Sequence, residues 1–377
     1  MKTIVNIARY LCGALFVFSG LVKAIDPRGL AYKMQEFFEA WAQSGFMKGM
    51  MEQFGHYALA FSILMITLEV AVGVALIVGW KKKLVTWLLF LLILFFTFLT
   101  SYVLFSGKIK ACGCFGDCIP LSPLQTFTKD IVLLILAIML LWKYRLIEPL
   151  AKPAILLSIV LMATVGALAL QWYVLGHLPL KDCLPFKKGN NILELRKMPA
   201  GAIPDEYAIS FIYQKDNVKK EFTAEALPDS SWEFVDRNQK LVKAGKNNTP
   251  LINDFTLTTE SGEDSTEAIL SQKGSYFILF VRDVTTIPSG FRKDQEMVNN
   301  AIVKNIPIYI VTGQRAMATK RYGEIAIING KPIAIPMLNC DATALKTAAR
   351  ADITLYKMNG PVVVNKWGWK DFDLVGL

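Results

Sequence analysis

The sequence predicts an all-α bundle of about five transmembrane helices, then a small β-rich module, then a soluble C-terminal α/β domain. Three observations predict it. Apolar residues make up 53% of the 377 positions and charged residues 19%, and the apolar excess lies in the first half. Five runs in that half approach the roughly 20 apolar residues that a bilayer crossing needs. Past Lys181, short strand-like runs and then alternating strand and helix patterns take over. The expected divisions are 1–180 for the bundle, 181–248 for the β-rich module and 249–377 for the α/β domain.

The expected spans are 7–25, 57–79, 84–105, 131–142 with its flanks, and 154–175. Lys129 and Asp130 mark the start of the fourth. The first has a basic lead in Lys2 and Arg9, as a signal peptide would. Its apolar stretch is longer than a signal core, and Leu21-Val22-Lys23-Ala24 is a poor cleavage site, so it is read as an uncleaved span.

Loop charge sets the orientation. Lys81-Lys82-Lys83 in the second loop, and Lys143, Arg145 and Lys152 in the fourth, are short basic clusters that belong in the cytoplasm. The N-terminus is then cytoplasmic, and everything after residue 175 lies outside. The expected location is the bacterial inner membrane, with the C-terminal part in the periplasm. The same placement of lysines and arginines accounts for much of the net charge of +10, so no nucleic-acid partner is expected. The first loop, 27–56, alternates Phe37, Phe38, Trp41 and Met50 with Lys33, Glu36 and Lys48. It reads as one or two helices lying in the membrane interface or capping the bundle.

Six cysteines are present, and their placement matters more than their number. Cys112, Cys114 and Cys118 share the third loop, and Cys183 follows the fifth span. Span counting puts all four on one side of the membrane, outside, where thiols tend to oxidise. A Cys112–Cys114 bond would be strained and therefore labile. Pairing of Cys114 with Cys118, or of either with Cys183, would close more easily. The four suit a thiol–disulfide relay; a structural staple and a metal site are the competing readings. Soft thiolates bind copper(I), zinc or an iron–sulfur cluster, but no Cys-x-x-Cys is present and the only histidines are His56 and His177. No metal is assigned. Cys12 reads as a packing residue inside the first span, and Cys340 as a buried free thiol.

Glu69 falls near the middle of the second span, where a carboxylate is costly and is paired or functional. Lys23 is expected to snorkel to the interface, with pairing to Glu69 as the other reading. Gly13, Gly20, Gly73 and Gly79 would let helices approach closely.

Gly13, Phe16, Ser19, Gly20 and Lys23, followed by Glu69, Gly73 and Gly79, resemble the signature of the DoxX family. Cys112-Gly113-Cys114-Phe115-Gly116 resembles the loop of its methylamine-utilisation branch, MauE. The resemblance covers about the first 180 residues. It implies a small inner-membrane bundle linked to redox work or to cysteine maturation of exported proteins, with a thioredoxin-like partner.

In the soluble part, 207–213 and 220–222 alternate like strands around an Asp216-Asn217 turn, and 232–235 is a further strand. From Pro250 the expected order is strand 276–281, helix 290–303, strand 306–311, helix 315–326, strand 333–338, helix 342–350, and a last strand pair formed by 361–365 with the residues after it. This order resembles a thioredoxin fold of the peroxiredoxin and thiol-reductase type. Pro361, just before Val362-Val363-Val364, would match that family's cis-proline. The departure lies after the first strand, where the family carries Cys-x-x-Cys and this chain has Arg282-Asp283-Val284-Thr285. The domain is therefore expected to be a degenerate one.

The expected function is thiol–disulfide exchange or cysteine maturation of exported proteins through the cysteine loop. The alternative is a non-catalytic envelope binding or assembly protein held by structural disulfides. The expected partners are the lipid bilayer and an exported or envelope protein. No cofactor is assigned, because no residue pattern supports a quinone or a metal.

Overall fold

The five apolar runs fold as five helices in the computed structural model, which describes residues 1–109, 113, 115–215, 218–223, 226–243, 245–323, 327–328, 331–332 and 335–376. They are α1 (Lys2–Ala24), α4 (Ala58–Val78), α5 (Lys82–Ser106), α6 (Pro123–Trp142) and α7 (Pro153–His177). Each is long and apolar enough to cross a bilayer, and the chain is a multi-pass membrane protein. The first loop forms two further helices, α2 (Pro27–Gln43) and α3 (Lys48–His56).

Small residues bring α1 and α4 into backbone contact. A β-carbon on Gly73 would lie 2.9 Å from the Gly13 carbonyl oxygen and the Val17 nitrogen. One on Gly20 would lie 2.6 Å from a Val70 methyl. Without side chains at these points the two backbones pack directly, as membrane helices do at small-residue seams.

The fourth span is longer than its apolar core. It starts at Pro123, eight residues before the expected 131. Ser122 caps it, and Gln125 returns a bond to the Ser122 nitrogen, completing a capping box. Lys129 and Asp130 lie inside the helix, where Asp130 is buried and accepts a hydrogen bond from Thr100 Oγ1 at 3.1 Å. The pair marks no boundary, because its charge is satisfied within the bundle.

Arg9 is 1% exposed. Its guanidinium donates to the carbonyls of Leu76, Ile77 and Glu148 at 2.8, 2.6 and 2.9 Å. It therefore closes the C-terminal end of α4. Arg9→Ala should cost about 3 kcal/mol, since buried acceptors lose their donor. Thermal unfolding in detergent checks this against Lys2→Ala, whose partner Glu148 is exposed and which should shift far less.

The C-terminal part holds two main sheets. The first is antiparallel, in the order β2 (Val218–Thr223), β1 (Glu206–Lys215), β3 (Glu233–Lys243). The Asp216-Asn217 turn lies outside the described residues. The second has five strands in the order β10 (Val362–Gly368), β9 (Ile353–Asn359), β4 (Ser275–Val281), β5 (Ile308–Thr312), β8 (Met337–Leu338). β5 is parallel to β4 and β8 to β5, while β9 runs antiparallel to β4 and β10 antiparallel to β9. β6 (Ile327–Ile328) and β7 (Lys331–Pro332) form a two-residue ribbon. Helices α8 (Ile192–Leu195), α9 (Thr266–Leu270), α10 (Lys293–Val303), α11 (Arg315–Tyr322) and α12 (Ala342–Ala348) complete the order. The five-stranded sheet separates two cores: Phe186, Phe255, Phe280 and Tyr356 on one face, Leu279, Val298, Ile310 and Leu355 on the other. Phe186 and Ile192, which follow the fifth span closely, belong to the first core.

Two expectations for the last strands are corrected. β10 pairs with the strand before it, not with residues after it. Pro361 is not a cis-proline: no cis peptide bond occurs among the described residues. Gly360 and Pro361 instead form the tight turn of the β9–β10 hairpin, where Gly360 takes a left-handed φ of 54° that a side chain would disfavour. Asp352, not a proline, directly precedes β9.

Candidate functional site

The third loop leaves α5 through Gly107 and reaches α6 at Ser122. Two of its cysteines, Cys112 and Cys114, lie outside the described residues. Around them, Gly113 sits against the aliphatic stem of Lys33 on α2, where a β-carbon would come within 3.1 Å of Cγ. Its carbonyl accepts from the Gly116 nitrogen at 2.9 Å. Phe115 packs on Phe18, with ring centroids 5.9 Å apart, and Lys129 Nζ lies 5.0 Å from its ring centre. The loop is thus seated on α1, α2 and α6.

A short 3-10 turn, Gly116–Cys118, then presents Cys118 to Cys183. The two form a disulfide with Cα atoms 5.0 Å apart and 65 residues apart in sequence. The bond ties the loop between the third and fourth spans to the segment after the fifth, so both lie at one end of the bundle. Beside it is a small cleft bordered by Val22, Asp26, Asp117, Lys181 and Asp182.

The C-terminal domain closes over this end through buried charges. Arg350 Nη2 donates to Asp117 at 2.6 Å, and its Nε lies 3.0 Å from Asp26. Arg28 on α2 donates to Asp352 at 2.9 Å, and Arg282, at the end of β4, donates to the same carboxylate. Lys366 on β10 donates to Asp182 at 2.7 Å. Arg350 and Lys346 both stand over the Tyr32 ring. Burial pulls the Arg28 guanidinium below its ordinary value, and the neighbouring Arg282 adds to that. Burial also pushes the Asp26 carboxyl up, against the opposing pull of Arg350. Arg282 and Asp352, just after β4 and just before β9, therefore face the bundle.

Below the loop, α1, α4, α5 and α6 line a small chamber that holds two ion pairs. On one side Lys23 donates to Glu69, and Ser19 donates to the other carboxylate oxygen at 3.1 Å. Lys23 is 3% exposed: it does not snorkel, because the carboxylate and the Phe96 ring, 4.7 Å away, hold it inside. On the other side Lys129 pairs with Asp130 at 2.7 Å. Gly13, Gly20 and Gly73 form the α1–α4 seam that carries one wall, with Phe115 as part of the lining. Sequence reasoning found Lys23 and Glu69. It placed Asp130 only at the start of a span and missed Asp117, Asp182, Arg350 and Lys366; the position of Asp117 and Asp182 directly before a cysteine was the one available signal.

Cys340 is buried, and burial pushes its thiol up to about 12. It should therefore stay unmodified by iodoacetamide at pH 8 in the folded protein and react fully after denaturation, which peptide mass spectrometry reads directly. Cys12 is buried within α1.

The site and the five spans define a multi-pass membrane protein whose extramembrane domain is docked on a disulfide-tied loop. Residues 1–143 match the family of methylamine utilisation protein MauE, which supports a MauE-like membrane family for this part of the chain. Residues 207–244, the small antiparallel sheet, match a domain family of unknown function. A stretch of 83 residues is 35% identical to protein TlpB of Flavobacterium psychrophilum, covering 21% of this chain and 23% of that protein. The chain thus spans about a quarter of the length of that curated relative. No solved structure matches.

Proposed function

We propose that the protein is a membrane thiol–disulfide exchange component that acts on exported proteins from the periplasmic face of a bacterial inner membrane. Cys112 and Cys114 are the exchanging pair, and Cys118–Cys183 is the staple that holds their loop. The observation that carries this reading is the disulfide itself: it sits on the same short loop as two further cysteines, and disulfides persist in oxidising compartments. The match to methylamine utilisation protein MauE over the bundle and the basic clusters at the opposite end of the spans support the same reading.

In the exchange, a client thiolate attacks one sulfur of a Cys112–Cys114 bond and the other leaves as a thiolate. A second client thiol then attacks the first client sulfur, and the loop cysteine leaves as the second thiolate. The client gains a disulfide and loses two protons, while the loop becomes a dithiol and gains them. Electrons and protons balance between the two pairs.

The strand order around β4, with β5 parallel and β9 and β10 antiparallel, supports a thioredoxin-like origin for the C-terminal domain. Arg282 stands where such a fold would carry its dithiol. This favours a second reading, in which the protein is a non-catalytic binding or assembly module. Trapping decides between them. The same exchange run in reverse has the Cys112 thiolate attack a client disulfide and Cys114 resolve the mixed disulfide, so Cys114→Ser should accumulate that species, visible as a reductant-sensitive band on non-reducing gels. If neither Cys112→Ser nor Cys114→Ser traps a partner or changes the oxidation state of exported proteins, the binding-module reading stands.

A further inference from the structure

The two arms of the Cys118–Cys183 disulfide are held in the same way. Asp117 directly precedes Cys118 and Asp182 directly precedes Cys183. Each aspartate accepts from a cation of the C-terminal domain, Arg350 in the first case and Lys366 in the second. Both cations are buried, with side chains 7% and 9% exposed. Arg350 also feels the field of Asp182, so the two contacts form one electrostatic unit around the bond. Lys366 is fixed in turn by the Tyr356 ring, 4.8 Å away, and Arg350 by Asp26 and the Tyr32 ring.

We infer that Arg350 and Lys366 are positioning residues that set the reduction equilibrium of the Cys118–Cys183 bond, so that the redox state of the bond and the docking of the C-terminal domain are coupled. The inference goes beyond the exchange reading and does not need Cys112 or Cys114 to react.

The physical argument has two parts. After reduction, the two sulfurs stay close only if both arms stay fixed, and the aspartate–cation contacts fix them. High effective concentration favours the bonded form. Charge alone would act the other way, since a cation near a sulfur favours its thiolate and so the reduced form; the reduced pair here is two neutral thiols, so the fixing of the arms sets the direction. Coupling is reciprocal: if docking favours the bond by some factor, the bond favours docking by the same factor. In the reduction itself, a small dithiol attacks, gives up two electrons and two protons, and closes into its own ring disulfide. Cys118 and Cys183 take up both as thiols.

The test is a redox titration of the full-length protein in detergent against a dithiothreitol series, with alkylation and mass spectrometry of the Cys118 and Cys183 peptides. Arg350→Gln and Lys366→Gln should each shift the equilibrium about tenfold toward the dithiol, which is about 30 mV for this two-electron couple. Lys366→Arg should remain within about threefold of the parent. Asp182→Asn tests the same contact from the loop side, should Lys366→Gln fail to fold, and the same tenfold shift is expected. Reduction of the parent should also speed trypsin release of the C-terminal domain about tenfold. Equilibria within threefold of the parent for both Arg350→Gln and Asp182→Asn would overturn the inference. So would an equal shift from Lys366→Arg and Lys366→Gln, since packing rather than charge would then set the bond. The Cys112 and Cys114 peptides, read in the same samples, report on the exchange reading separately.

Discussion

Cys183→Ser is expected to destabilise the docked C-terminal domain by about 2–4 kcal/mol. A chain-entropy account of a loop of 65 residues gives about 4 kcal/mol. That figure assumes cysteines that wander freely once unbonded. Here α6 and α7 both remain in the bilayer after tertiary packing is lost, so the cysteines stay at one membrane face and the lost entropy is smaller. Cys118→Ser should match Cys183→Ser, and the double variant should cost no more than either alone, because one bond is removed in all three. Thermal unfolding in detergent, followed by limited proteolysis between bundle and domain, measures the effect. A loss below about 0.5 kcal/mol in both single variants would mean that the ion pairs hold the domain without the disulfide.

The Lys23–Glu69 pair should show the larger effect within the bundle. Both side chains are almost fully buried, at 3% and 2% exposure. Removing one partner strands the other charge among apolar helices, at a cost of about 3–5 kcal/mol. Glu69→Leu and Lys23→Met should therefore each reduce the folded yield sharply. The double variant Lys23→Met/Glu69→Leu should recover most of the loss, since a buried ion pair replaced by well-packed apolar residues is often neutral. Glu69→Gln should fall between, because it keeps an acceptor for Ser19. Detergent thermal stability of the four proteins checks this. If the double variant is as stable as the parent but loses exchange while Cys112 and Cys114 remain intact, the chamber serves the chemistry of the loop as well as the fold.

The spans were legible because a bilayer imposes length and apolarity on each helix separately. The fourth was read short because its first turns carry Lys129 and Asp130, although Ser122, Pro123 and Gln125 spell a helix start. Pro361 was misread because a strand after a proline resembles a cis-proline motif, whereas Gly360-Pro361 is a hairpin turn. That Cys118 and Cys183 lie at one end of the bundle was legible from span counting, but their pairing was not, since several closures were compatible with the topology. The clamp was invisible for a different reason. Asp117–Arg350, Asp182–Lys366 and Arg28–Asp352 join residues 233, 184 and 324 positions apart, and no local pattern encodes such separations. Arg282 was noted only as a missing cysteine; its position beside Asp352 on the docked face shows that the residue has a structural use of its own.

The central claim is that one pair on the loop exchanges while the other holds it. Differential thiol alkylation with mass spectrometry on native membranes, before and after a short reductant pulse, tests it most directly. The account predicts that Cys112 and Cys114 pass between free and bonded forms within minutes, while Cys118–Cys183 stays bonded and Cys340 stays unlabelled. Cys112 and Cys114 frozen in one state throughout, or Cys118–Cys183 opening as fast as they do, would contradict it.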